Sequence, residues 1–108
     1  FFDTELFSDS FFMNEIKWYI KRSNKYGVPL DSRKAYTKSD WILWCAAFAS
    51  TKEERKALIS PIAEYLYDSP DRDPFGDWYD TETAARIHFR NRTVQGGIFM
   101  PILIDEQF

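Results

Sequence analysis

Asp31-Ser-Arg-Lys-Ala-Tyr-Thr-Lys-Ser-Asp-Trp-Ile-Leu-Trp-Cys-Ala-Ala-Phe-Ala49 joins a charged loop to a helix without a polar face. From Trp41 to Ala49 every residue is apolar. A helix that is hydrophobic all round is expected to be buried all round. The loop before it carries Arg33, Tyr36, Lys38 and Asp40. Charge is thereby held at a helix N-terminus, where free backbone N–H groups and the helix dipole favour anions. That is one way to build the floor of a ligand site. The same residues also fit a plain cap, with Thr37 as N-cap and Asp40 at N3.

Moving outward, Phe12, Ile16, Tyr19 and Ile20 recur at helical spacing and predict a helix from Phe11 to Asn24. Ser8 or Ser10 suits its N-cap, Gly27 its C′ position, and Pro29 prevents continuation. Before it, Phe2, Leu6 and Phe7 are expected to pack. On the other side, Thr51-Lys-Glu-Glu54 is a capping box for a third helix to Tyr67, with Leu58, Ile62, Tyr65 and Leu66 inward. Pro61 should kink or divide it. Residues 68–83 are rich in Pro, Gly and Asp and predict a long loop. Residues 84–92 read as a short strand or extended arm. A last helix is expected from Val94 to Leu103, bent near Pro101, with Gly96-Gly97 allowing close approach. The fold class expected is all-α, a single helical domain over 1–108 with one long ordered loop.

The totals narrow the function. The 108 residues carry a net charge of −3, which argues against nucleic acid as partner. No apolar run approaches the roughly 18 residues of a membrane span. Large rings make up 19% of the chain, more than so short a chain easily buries. The one cysteine, Cys45, lies in the apolar helix and reads as packing rather than a nucleophile. The chain opens on Phe1 and closes on an apolar stretch, which suggests a piece of something longer.

Two constellations combine carboxylates with rings: Arg33, Tyr36, Lys38, Asp40 and Trp41, and then Asp77, Trp78, Tyr79, Asp80 and Thr81. Rings stack on the C–H faces of a polar organic ligand, and carboxylates accept its hydrogen bonds or move its protons. We therefore take Asp40, Asp77 and Asp80 as candidate catalytic carboxylates. Arg33, Tyr36, Lys38, Trp41, Trp78 and Tyr79 are candidate substrate contacts. The plainer alternative for the second group is that Asp77 and Asp80 close Asx-turns while Trp78 and Tyr79 anchor the loop on the core. His88, the one histidine, has no partners at metal-ligand spacing and reads as a surface residue; no metal or cofactor is expected. Arg86, Arg90 and Arg92 could bind a carboxylate or pair with the loop aspartates, solvation being the default. Asn91-Arg92-Thr93 fits the glycosylation sequon.

Tyr26-Gly-Val-Pro-Leu-Asp-Ser-Arg33, Tyr36-Thr-Lys-Ser-Asp-Trp41 with Trp44, Asp77-Trp-Tyr-Asp-Thr81, and Phe89-Arg90 with Arg92, Val94 and Gly96-Gly97 closely resemble the C-terminal end of the glutaminase A-like proteins. The motifs come in order from about Phe7 to Leu103. The resemblance implies the last hairpins of an (α/α)6 toroid like that of the six-hairpin glycosidases, in a large secreted or periplasmic protein. It implies hydrolysis of L-glutamine to L-glutamate and ammonia, with the site in a funnel where inner-helix N-termini converge. It carries over no catalytic residue. Two other readings stand beside it. The parent could act on carbohydrate, or the chain could be a non-catalytic helical module. The partners expected are a small-molecule substrate and the remainder of the parent chain, with self-association through surplus apolar surface as a further possibility.

Overall fold

A computed structural model describes residues 5–71, 75–90 and 92–106. Phe2 and Asn91, and with Asn91 the sequon, lie outside the described residues. The element order is α1 (Asp9–Lys21), β1 (Tyr36–Lys38), α2 (Ser39–Ala47), α3 (Lys52–Asp68), β2 (Trp78–Asp80), a 3-10 helix (Thr93–Phe99) and α4 (Met100–Glu106). The all-α expectation is corrected by the antiparallel β1–β2 pair, in register Tyr36↔Asp80, Thr37↔Tyr79 and Lys38↔Trp78. Strands of three residues are too short to show alternation, so periodicity cannot announce them.

Helix α2 is the hub, touching α3, α4, the 3-10 helix and β1. Ile16, Ile42, Leu43, Ala46, Leu58 and Ile62 form the main core between α1, α2 and α3. The expectation of all-round burial is corrected: Trp41, Trp44 and Phe48 are 49%, 41% and 55% exposed. Their spacing places them on one stripe, and the neighbouring elements cover the opposite side. Phe48 keeps one ring neighbour, Phe12, stacked at 4.8 Å.

A second core is built from rings. Tyr65 of α3 stacks on Tyr79 of β2 at 3.6 Å, with Tyr26 and Ala84 around them. The Tyr79 hydroxyl donates to the Tyr26 carbonyl at 2.7 Å, and the Tyr65 hydroxyl donates to the Gly76 carbonyl at 2.9 Å. Burial raises both phenols, Tyr65 to about 12 and Tyr79 further. Gly27 makes this closure possible. Its φ is +134°, and a Cβ there would lie 2.9 Å from Ile42 Cδ1 and 3.3 Å from the Tyr79 hydroxyl. Tyr79→Phe leaves the Tyr26 carbonyl unpaired in a dry site and should cost about 1–3 kcal/mol in urea unfolding. A cost below about 0.5 kcal/mol would mean that water reaches that carbonyl.

One local expectation holds. Thr51 caps α3, its hydroxyl accepting from Glu54 N at 3.1 Å. Others are corrected. Lys38, not Thr37, is the N-cap of α2, and Thr37 is buried in β1, because strand pairing claims its backbone. Helix α1 ends at Lys21 with Arg22 as C-cap, and Gly27 serves a turn closed by the Asn24↔Gly27 bridge instead. Pro61 does not divide α3, which spans Lys52–Asp68 as one helix. Leu6 and Leu66 are exposed, whereas Phe7 packs as expected, its ring stacked on Phe11 at 4.8 Å. Among the described residues of 84–92, Arg86 forms an isolated bridge with Tyr79. The last segment is a 3-10 helix that runs directly into α4, with Pro101 in the first turn of α4.

Candidate functional site

Strand β1 runs directly into α2, so the β1–β2 register decides what stands at the helix start. Ser39 N, the first of α2, donates to the Asp77 carbonyl at 2.9 Å. The Asp77 side chain is fully buried. Arg92 clamps both of its oxygens, Nε donating to Oδ1 at 3.1 Å and Nη2 to Oδ2. The paired carboxylate in turn raises the pKa of Arg92.

Asp40 is the next residue of α2 and is only 6% exposed. Its Oδ1 is buried without a hydrogen-bond partner among the described residues. Its pKa is raised, first by burial and then by the negative charge of Asp77; helix N–H groups and Lys38 oppose this and do not cancel it. The 3-10 helix presses on the pair. A Cβ at Gly97 would lie 2.6 Å from Trp44 Nε1 and 3.0 Å from Asp40 Cβ, so only glycine lets this backbone sit there.

A layer of rings and cations adjoins the carboxylates. Trp78 meets the edge of Tyr36 at 5.4 Å, stacks with Phe89 at 5.8 Å and touches His88 at 5.3 Å. Lys38 Nζ lies 5.4 Å from the Trp78 centroid, and the Arg92 guanidinium lies 4.6 Å from that of Phe89. His88 holds a left-handed backbone, φ +53°. Such a wall suits a polar molecule with a C–H face, flanked by cations for its carboxylate.

The structure thus brings Tyr36, Lys38, Asp40, Asp77 and Trp78 together. Tyr79, alternating to the other face of β2, sits in the ring core. Asp80 Oδ1 accepts from Glu82 N and Thr83 N, both at 2.9 Å, which closes an Asx-turn. Arg33 is taken up by Asp31, with Nη2 to Oδ2 at 2.7 Å, and that pairing depresses the Asp31 pKa. Trp41 stands on the exposed stripe of α2. Burial raises the pKa of Cys45, which disfavours the thiolate. The arginines are corrected from the solvated default: Arg92 pairs with Asp77 and Arg86 with Asp71, the alternative their spacing left open. Sequence reasoning did not assign Phe89 or Gly97 to this place; their contacts are set by tertiary packing. Among the described residues no group of His, Cys, Asp and Glu could hold a metal ion, and no helix is long and apolar enough to cross a membrane.

A model of the glutaminase A six helical-hairpin domain matches residues 1–102. Glutaminase A of Aspergillus oryzae is 40% identical over 90 residues, 81% of this chain and 13% of that protein. A protein named as a probable glutaminase of Arthroderma benhamiae is 34% identical over 93 residues, 83% of this chain and 11% of its own length. The chain thus spans little more than a tenth of these relatives. No solved structure matches it. The helical architecture, the motifs around Asp40 and Asp77 and the family match agree: the chain belongs to the glutaminase A six helical-hairpin domain family.

Proposed function

We propose that the chain supplies one wall of a glutamine-hydrolysing site in a longer protein, with Asp40 as the carboxylate that handles protons. The observation that carries this is the buried Oδ1 of Asp40, unpartnered beside the Asp77–Arg92 pair at the head of α2. Water adds to the carboxamide carbon as Asp40 takes its proton. The C–N bond then breaks, and the nitrogen leaves as ammonia with that proton. Lys38 holds the substrate carboxylate, and Trp78 with Tyr36 packs its aliphatic part. Asp77 keeps Asp40 basic, and Asp80 fixes the turn that carries Trp78. Arg33, Trp41 and Tyr79 act at one remove, as loop anchor, outer wall and core support. The names of the relatives support the reaction.

On this reading the other hairpins of a toroid complete the site and cover the Trp41–Trp44–Phe48 stripe, and the parent works outside the cytoplasm. Ammonia release from L-glutamine tests it. The whole parent protein should turn over, and the 108-residue chain alone should not. Turnover by the isolated chain, or none by the parent, overturns the proposal. The Trp78–Phe89 platform equally fits a sugar face. A parent that cleaves a glycan and leaves glutamine intact would establish the carbohydrate reading instead.

A further inference from the structure

A cavity of about 430 Å³ lies between the C-terminal end of α1 and the 28–35 loop. Neither Asp40 nor Asp77 lines it. A second groove of about 300 Å³ shares Tyr19, Val28, Pro29 and Leu30 with it and continues to Trp41 and Cys45. The two form one cleft with different ends. The far end is apolar. The near end carries Arg22 and Lys34, from α1's C-cap and from the loop. Neither cation meets a carboxylate among the described residues. Arg22 instead lies on the Trp18 ring, 4.5 Å from its centroid, which holds the guanidinium in place. The other charged lining residue, Asp31, is neutralised by Arg33. On a chain of net charge −3, this is a local excess of positive charge at the mouth of an apolar slot.

We infer that this cleft binds a small carboxylate with an apolar body, the carboxylate between Arg22 and Lys34 and the body along Val28, Pro29 and Leu30. The volume fits a ligand of modest size. A forked guanidinium already stacked on a ring loses little freedom on meeting a carboxylate. A neutral analogue keeps the apolar contact and loses the charge. The residues that hold the ligand, Arg22, Lys34, Val28, Pro29 and Leu30, are not among those of the proposed hydrolytic site, so either can fail without the other.

Titration calorimetry of the whole protein with 4-phenylbutyrate and with 4-phenylbutanamide tests this. The acid should bind about tenfold more tightly than the amide at low salt, with the gap narrowing as salt rises. Arg22→Gln with Lys34→Gln should abolish the gap and leave the amide's affinity unchanged. Arg33→Gln, which leaves the lining carboxylate of Asp31 without its cation, should narrow the gap and leave the amide's affinity unchanged. Equal affinities, or a gap untouched by the double substitution, would overturn the inference. Binding of neither compound would also overturn it, and would assign the cleft to another segment of the parent protein.

Discussion

Asp40→Asn should lower kcat for ammonia release by the whole protein by roughly 10²- to 10⁴-fold, the range for loss of a positioned acid–base group. Asn keeps the shape and the helix position and removes the proton acceptor. A stability measurement separates this from simple damage. The raised pKa of Asp40 means that the folded state holds its proton more tightly than the unfolded chain does. The resulting stabilisation is full below the ordinary carboxylate value of 3.8 and is lost as pH rises through the raised folded value. At neutral pH the charged Asp40 is therefore a net cost, which Asn relieves. The variant should be at least as stable as the native protein in urea at pH 7, with that advantage gone in acid. Activity within twofold of native would remove Asp40 from the chemistry. Lost activity together with lost stability would make it a structural residue.

Arg92→Met should destabilise the chain by about 3–5 kcal/mol, because it strands a carboxylate with no exposure to water. That is a large part of the roughly 5–15 kcal/mol that holds a domain together. Asp77→Leu in the same background should recover most of the loss, since the cost lies in the orphaned charge rather than in the missing bond. A single variant within about 1 kcal/mol of native would mean that Asp77 reaches solvent or another cation. The double substitution also tests function, because it removes the charge that keeps Asp40 basic.

The helices were legible where apolar spacing was strong. Ile16 with Tyr19, and Leu58 with Ile62, lie inward as their spacing requires. The Thr51 cap of α3 was legible because its backbone partner lies three residues on and needs no tertiary contact. The N-cap of α2 was not. Thr37 looks like a cap until Tyr79, far along the chain, pairs with it. The same non-local pairing hid the sheet and placed Lys38 beside Trp78. The candidate carboxylates were visible as residue types, but their inequality was not. Asp77 is clamped, Asp80 closes a turn, and Asp40 keeps a free buried oxygen. Burial and charge partners separate them, and neither is written in local sequence. The assumption that an apolar helix is covered on all sides failed at Trp41, Trp44 and Phe48, because composition states what a helix tolerates and not how many neighbours it has.

Everything proposed for catalysis depends on the Asp40 carboxyl being held out of water beside a second, clamped carboxylate. A titration of the Asp40 ¹³Cγ resonance by NMR measures that directly. The account predicts a midpoint above 3.8, falling when Asp77 is replaced by Asn. A midpoint at or below 3.8 that Asp77→Asn does not move would contradict it.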